Sequence, residues 1–208
     1  MTNVTVLEHP LIQHKLGRIR SVDTPPEAFR SLVSQVAGLM VFQISRELPL
    51  QDVDVETPLE TTRARRLAGP VTIVPILRAG IGMADGITAL MPEARTGHIG
   101  LYRDETSLQP VEYYCKLPDD IAGGPVFLVD PMLATGGSAV AAAKLLLEHG
   151  CVDVRFVCLV AAPEGIAAMQ EHCPDVSIFT AALDRQLNEQ GYILPGLGDA
   201  GDRIFGTR

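Results

Sequence analysis

Asp130, Thr135, Gly136, Gly137 and Ser138 are the residues whose types and spacing could do chemistry in this 208-residue chain. Two hydroxyls around adjacent glycines stand just ahead of an Ala- and Leu-rich run, Ala139 to Glu148, that has no breaker. That pattern is a turn opening into a helix. Main-chain N–H groups of such a turn point the same way as those of the helix start, and together they form a pocket for a phosphate. Thr135 and Ser138 add hydroxyl donors, and the glycines let the main chain approach a ligand with no Cβ in between. Asp130 cannot hold phosphate itself. Its carboxylate only accepts hydrogen bonds, which suits the hydroxyls of a sugar. The plain alternative is loop chemistry, because Asp before a Gly turn closes many strand–helix connections. The order of strand, acid, hydroxyls and helix favours a ligand. No Gly-Lys-Ser/Thr occurs, and Gly80-Ile-Gly82-Met-Ala-Asp85 has Asp where the third Gly of a dinucleotide fingerprint belongs.

A second grip for an anion stands at Arg78. The apolar run Val71 to Leu77 reads as a strand and ends in Arg78-Ala-Gly80, so a guanidinium that could bind an anion bidentately is followed by small residues. Alone this signal is weak, since Arg near a turn is usually solvated.

The elements that must position these groups follow from periodicity. Val126 to Val129 is a buried strand ending at Asp130. Strands at His98 to Tyr102, Val154 to Val160 and Val176 to Ala182 alternate with helices at about Gly82 to Leu90, Ala139 to Glu148 and Pro163 to His172. Gly150 gives the middle helix its stop. This alternation predicts an α/β fold with a mostly parallel, doubly wound sheet flanked by helices. Ligands of such sheets bind beyond the carboxyl ends of the strands, which puts Arg78, Arg103 and Asp130 on one rim.

Around this core, residues Met1 to Val22 read as an extended arm, with His9 and His14 as packing or interface residues. Thr24-Pro-Pro-Glu27 reads as a capping box. It opens a helix whose stripe, Phe29, Val33, Val36, Met40, Ile44 and Leu48, is core or a subunit contact. Gln51 to Gly69 is polar, and its cluster Arg63, Arg65 and Arg66 is a solvated surface or, as the minority option, lies near an anionic ligand. Arg103 to Leu117 predicts a protruding hairpin, a candidate lid, because Val111, Tyr113, Cys115 and Leu117 alternate with polar or exposed positions. In the tail, four glycines and a proline between Gly191 and Gly201 argue against any regular element and for an ordered loop that presses its backbone on a flat ligand. The expected organisation is one domain over 1–208, with an N-terminal arm and helix (about 1–50), a core (about 70–182) and a C-terminal segment (about 183–208).

Composition bounds the function. The chain is 47% apolar with net charge −8, mean hydropathy +0.20 and pI near 5.1. That balance speaks against nucleic acid or a membrane as partner. Cys115, Cys151, Cys158 and Cys173 have no metal-ligand or disulfide spacing. With no signal-like or spanning run, a cytoplasmic enzyme is the expected class.

The run Val-Asp-Pro-Met-Leu-Ala-Thr-Gly-Gly-Ser, 129 to 138, resembles the phosphoribosyl-diphosphate loop of type I phosphoribosyltransferases. Its Asp-Pro-Met form, with Pro131 where most of that family has a second acid, is similar to the uracil phosphoribosyltransferase branch. His9-Pro-Leu, Pro75-Ile-Leu-Arg-Ala-Gly80, Ala161-Ala-Pro-Glu-Gly165 and the tail Gly191 to Gly201 share the likeness, the tail being its most specific part. The resemblance implies a reaction of uracil with phosphoribosyl diphosphate, giving UMP and pyrophosphate. It implies that Arg78 and Arg103 contact the pyrophosphate, and that Asp130, Pro131, Met132, Leu133, Ala134, Thr135, Gly136, Gly137 and Ser138 hold ribose and 5′-phosphate. Ile193, Gly198, Asp199 and Ala200 then recognise uracil, with Asp199 also reaching the sugar, under a C-terminal hood. Asp130, Arg78 and Arg103 carry the catalytic roles. Mg²⁺ is expected through substrate oxygens and waters rather than protein ligands, GTP is implied as an effector, and a homo-oligomer, dimer or larger, as the assembly. Gln186 stands where relatives usually have Gly, which puts the turn before the base loop in question.

Uracil presents acceptor, donor, acceptor along one edge. Main-chain N–H and C=O groups can match that pattern, whereas cytosine would set a donor against a donor, at about 1–3 kcal/mol per unsatisfied buried group. No general base stands out. Two rivals remain at this stage: a nucleotide-sensing regulator on the same fold, and the same chemistry on another base.

Overall fold

The computed structural model describes residues 3–103 and 110–207. Strand β1 (Val4–Val6) leads into α1 (Pro10–Arg20) and α2 (Pro26–Ile44). A hairpin follows, β2 (Leu50–Glu56) and β3 (Thr61–Leu67). Then come β4 (Thr72–Leu77), α3 (Ile81–Thr88), β5 (Arg95–Thr96), β6 (His98–Arg103) and β7 (Pro110–Lys116). The second half runs β8 (Val126–Val129), β9 (Met132–Leu133), α4 (Gly137–Glu148), β10 (Val154–Ala161), α5 (Pro163–His172) and β11 (Ser177–Leu183). The tail adds β12 (Gln186–Leu187), β13 (Ile193–Leu194) and α6 (Ala200–Phe205).

The main sheet has the order β1-β11-β10-β8-β4-β6-β7, with β5 paired to β4 and β9 to β10. Every pairing in it is parallel except β6 with β7. This is the α/β sheet that the alternation of strands and helices predicts. Strand residues point alternately to two cores. Ile73, Phe127, Val129 and Val157 face the layer of α1, α2, α3 and α6, while Val74, Leu128, Phe156 and Cys158 face α4 and α5. The central strands are therefore apolar throughout, as a sheet covered on both faces requires.

The chain leaves β4 through α3 toward β6 on one side, and leaves β8 through α4 toward β10 on the other. Adjacent β4 and β8 thus send their loops in opposite directions, and a crevice opens at their carboxyl ends. Arg78 follows one strand and Asp130 the other.

Several sequence expectations need correction. Within the segment expected to be extended or arm-like, only Val4–Val6 is a strand, whereas Pro10–Arg20 is helical: Ile12, Leu16 and Ile19 bury one side of α1, and His9 caps it, its Nδ1 accepting from the Leu11 N–H at 3.2 Å. Thr24 forms no capping box. The cap position of α2 is Pro25, without a side-chain hydrogen bond, and the Thr24 hydroxyl donates instead to the Arg18 carbonyl at 2.6 Å. Residues 51–69 form the β2–β3 hairpin, where Arg65 faces Asp52 and Arg63 faces Asp54, each at 3.9 Å and well exposed. The hairpin expected from Arg103 is built from β6 and β7 and so begins earlier, at His98; the Arg103 side chain and residues 104–109 lie outside the described residues. The stretch 191–201, expected to hold no regular element, contains β13 and the start of α6. Gln186 is an exposed residue of β12 opposite Leu194, so the departure from Gly falls in a strand and not in a turn.

Candidate active site

The loop after β8 is held by main chain. Asp130 donates its N–H to the Val157 carbonyl at 3.1 Å, and the Pro131 carbonyl accepts from Leu159 and Val160 at 3.0 and 3.2 Å. Met132 and Leu133 rejoin β10 opposite Val160 and Ala161. A Cβ on Gly165 would lie 2.4 Å from the Ala134 carbonyl oxygen, so the first turn of α5 presses directly on the loop. Gly136 has φ +85°, and a Cβ there would come within 2.8 Å of the Ala168 Cβ. Only glycine suits that position. Pro131, Leu133 and Gly136 are buried, Met132 and Ala134 half-buried, and Thr135, Gly137 and Ser138 exposed. No side chain caps the start of α4. Its first-turn N–H groups and the two hydroxyls therefore stand open to an anion.

Asp130 is tucked in at the base of this loop. Its Oδ1 accepts the Met132 N–H at 3.0 Å. Its pKa is raised to about 7, chiefly by burial, against the lowering effect of the Met132 hydrogen bond and with a further push from the charge of Asp199. Beneath it, burial pushes the Cys158 thiol up to about 12, which makes Cys158 packing and not a nucleophile. The turn after β4 lies against the same place: a Cβ on Gly80 would sit 2.5 Å from the Val129 carbonyl oxygen. Arg78 is exposed, with its guanidinium 5.4 Å from the centre of the Phe205 ring in α6.

The tail closes over this crevice. A Cβ on Gly191 would lie 3.6 Å from Thr135 Cγ2, so the tail touches the loop after β8. Asp199 caps α6, accepting the Asp202 N–H at 2.9 Å. Gly198 and Asp199 are exposed, whereas Ala200 and the Ile193 side chain are buried. Ile193 as a whole is only 3% exposed. The carbonyls of Tyr192 and Leu194 bond to Asn188 and Arg185, so the pleat turns the Ile193 peptide groups the other way. A hollow of about 400 Å³ is bordered by Pro26, Tyr192, Gly198, Asp199 and Arg203. A larger one, about 460 Å³, lies between β1 and α2 and touches no candidate residue.

The sequence profile of the uracil phosphoribosyltransferase family matches residues 6–207. The chain belongs to this family. A uracil phosphoribosyltransferase of Streptococcus pneumoniae is 59% identical over 209 residues, covering 100% of both chains. The solved structure of the AQ2163 protein from Aquifex aeolicus superposes with a TM-score of 0.93 at 37% identity, over 97% of each chain. Adenine phosphoribosyltransferase from Leishmania donovani shares the fold alone, with a TM-score of 0.58 and 16% identity over 92% of this chain and 88% of that one.

In this member of the uracil phosphoribosyltransferase family, the structure brings Asp130, Thr135, Arg78 and Asp199 to one crevice. Sequence reading missed what holds the tail there. Arg203 donates to the carbonyls of Ile19 and Leu197, both at 2.7 Å, and lies 4.3 Å over the Phe29 ring. Arg30 donates to the Ile204 carbonyl at 2.8 Å, and Glu164 accepts the Leu187 N–H at 3.0 Å. A signal for the receiving helix was present, since Pro10 followed by Ile12, Leu16 and Ile19 has helical spacing.

Proposed function

We propose that the chain transfers the phosphoribosyl group of phosphoribosyl diphosphate to uracil, releasing pyrophosphate and UMP in pyrimidine salvage. The observation that supports this reading best is the meeting of its two halves, an acid-ended phosphate loop and a glycine-rich tail that touch at Thr135 and Gly191. The 5′-phosphate sits on the open N–H groups at 136–138 and on the hydroxyls of Thr135 and Ser138. Asp130 accepts from the ribose hydroxyls and offsets the positive charge that grows on the ring as pyrophosphate departs. Arg78, with Arg103, stabilises the leaving pyrophosphate. The main chain of Ile193 and Gly198 to Ala200 reads the uracil edge, with Asp199 reaching the sugar side. The β6–β7 hairpin closes over the site and excludes water.

No group of three or more His, Cys, Asp or Glu side chains that could hold a metal occurs among the described residues. The acids that do face the site, Asp130 and Asp199, suit Mg²⁺ held through substrate oxygens with its waters accepted by carboxylates. When bound, the ion neutralises the leaving pyrophosphate. The same reading carries a single working unit over the whole chain, GTP as an effector and a homo-oligomer. No helix among the described residues is long and apolar enough to cross a membrane, and a cytoplasmic setting accords with the substrates.

Transfer of labelled uracil, cytosine, hypoxanthine and adenine tests the reading. Turnover with uracil alone is expected. Turnover with a purine would reassign the base, and none with any base would leave a nucleotide-sensing role. In Arg103→Ala, use of phosphoribosyl diphosphate is expected to weaken more than use of uracil.

A further inference from the structure

We propose that Arg20 and Asp184 are positioning residues for the base half of the site, acting through the main chain of Gly196. The inference rests on the reading of residues 193–200 as the base-recognising segment. Arg20, the last residue of α1, meets Asp184 in a fork, Nη1 to Oδ2 at 2.8 Å and Nη2 to Oδ1 at 2.6 Å. The Asp184 side chain is 5% exposed and that of Arg20 24%. Each partner also takes one polar group of Gly196. Arg20 Nη1 donates to the Gly196 carbonyl at 2.6 Å, and the Gly196 N–H donates to Asp184 Oδ2 at 2.9 Å. One buried ion pair thus holds the donor and the acceptor of a single residue in the middle of the base segment.

The geometry explains why charges stand there at all. A buried pair is a poor stabiliser, and apolar residues of similar volume often hold a fold as well. No apolar pair, however, can satisfy a buried N–H and a buried C=O at once. Gly196 itself leaves no slack: its φ is +63°, and a Cβ on it would lie 2.2 Å from the Ile193 carbonyl oxygen. Fixing Gly196 therefore fixes Ile193 on one side and Gly198 on the other. The anchor points are themselves rigid, because the Asp184 N–H donates to the Ala161 carbonyl at the end of β10. Ile19, next to Arg20, accepts from Arg203 and so ties α6 to the same helix end. Neither Arg20 nor Asp184 is assigned a contact with substrate.

Steady-state kinetics of the full chain carrying Asp184→Asn or Arg20→Lys test the proposal. Asp184→Asn is expected to raise KM for uracil roughly tenfold or more while KM for phosphoribosyl diphosphate stays within about twofold. Arg20→Lys keeps the charge but loses the fork, and is expected to raise KM for uracil by roughly threefold. A lower kcat with both KM values unchanged would mean a merely structural pair and would overturn the proposal, as would an equal rise in both. If Asp184→Asn does not fold, the split in Arg20→Lys decides alone; insolubility of both variants would make the pair a folding requirement and also overturn it. Gly198→Ala separates the two levels of inference. A raised uracil KM in that variant with none in Asp184→Asn removes only the ion pair's role, whereas no effect in either removes the base-segment reading itself.

Discussion

The two halves of the crevice are held in place by different means. The half proposed for the phosphate is an extension of the sheet: 130–133 stay bonded to β10 through main chain, and α4 begins as soon as the loop ends. The half proposed for the base has the short β12–β13 pairing, a turn at Asn188 and α6 of its own, and side chains outside residues 185–202 pin it: Arg20, Arg30, Glu164 and Asp184, with Arg203 reaching back. A phosphate is recognised by many convergent N–H groups, which a strand–loop–helix unit supplies from one short stretch of chain. A flat base must be read by a few main-chain groups facing one edge, and a glycine-rich strand cannot hold such groups still without outside support.

The largest expected effect breaks the phosphate half. Asp130→Asn should lower kcat roughly 100-fold or more with the fold intact; near-normal turnover would remove Asp130 from the mechanism. Next is the pH dependence of the same group. In the proposed mechanism an ionised Asp130 accepts from ribose, so kcat/KM for phosphoribosyl diphosphate should fall about tenfold per unit below pH ~7 and lose that slope in Asp130→Asn. Stability should run the other way. The folded pKa, about 7, lies above the unfolded value of 3.8, so the stabilising contribution is complete below pH 3.8 and is lost as pH rises through 7. Thermal unfolding should therefore find Asp130→Asn more stable than the parent at pH 8, by on the order of 2–4 kcal/mol, with the difference shrinking toward pH 4.

A backbone lesson follows at smaller scale. Gly136→Ala places a methyl at φ +85° and 2.8 Å from Ala168. It should cost about 1–3 kcal/mol of stability and raise KM for phosphoribosyl diphosphate severalfold, more than KM for uracil. If both rise alike, the two halves are not mechanically separate. The smallest effect belongs to Gln186→Gly in the base half. An exposed strand position should lose only about 0.5–1 kcal/mol in chemical denaturation, with neither KM changed.

This contrast also explains what was legible in the sequence. The strand ending at Asp130, its turn and α4 are contiguous, so local periodicity and turn chemistry revealed the sheet, the rim and the phosphate loop. The tail announced itself by its glycines but not by its form. Nothing local says that Arg20 will meet Asp184 across 164 residues, or that Arg203 will meet the Ile19 carbonyl across 184. The start of the N-terminal helix is hard to see for a related reason: His9 caps with a ring nitrogen, while Thr24, a better-looking cap, spends its hydroxyl on the Arg18 carbonyl. The β2–β3 hairpin carries only a weak strand signal: Val53 and Val55 alternate with Asp52, Asp54 and Glu56, and Val53 stands opposite Ala64, but this small half-buried face lies among charged residues, with Asp52 and Asp54 opposite Arg65 and Arg63.

Glu164 and Gly165 are neighbours in the first turn of α5, yet each serves a different half. Gly165 bears on the carbonyls of Leu133 and Ala134, and Glu164 holds the N–H of Leu187. One helix end thus acts as a calliper whose jaws are consecutive residues. A displacement of α5 would therefore bear on both loops at once rather than on either alone.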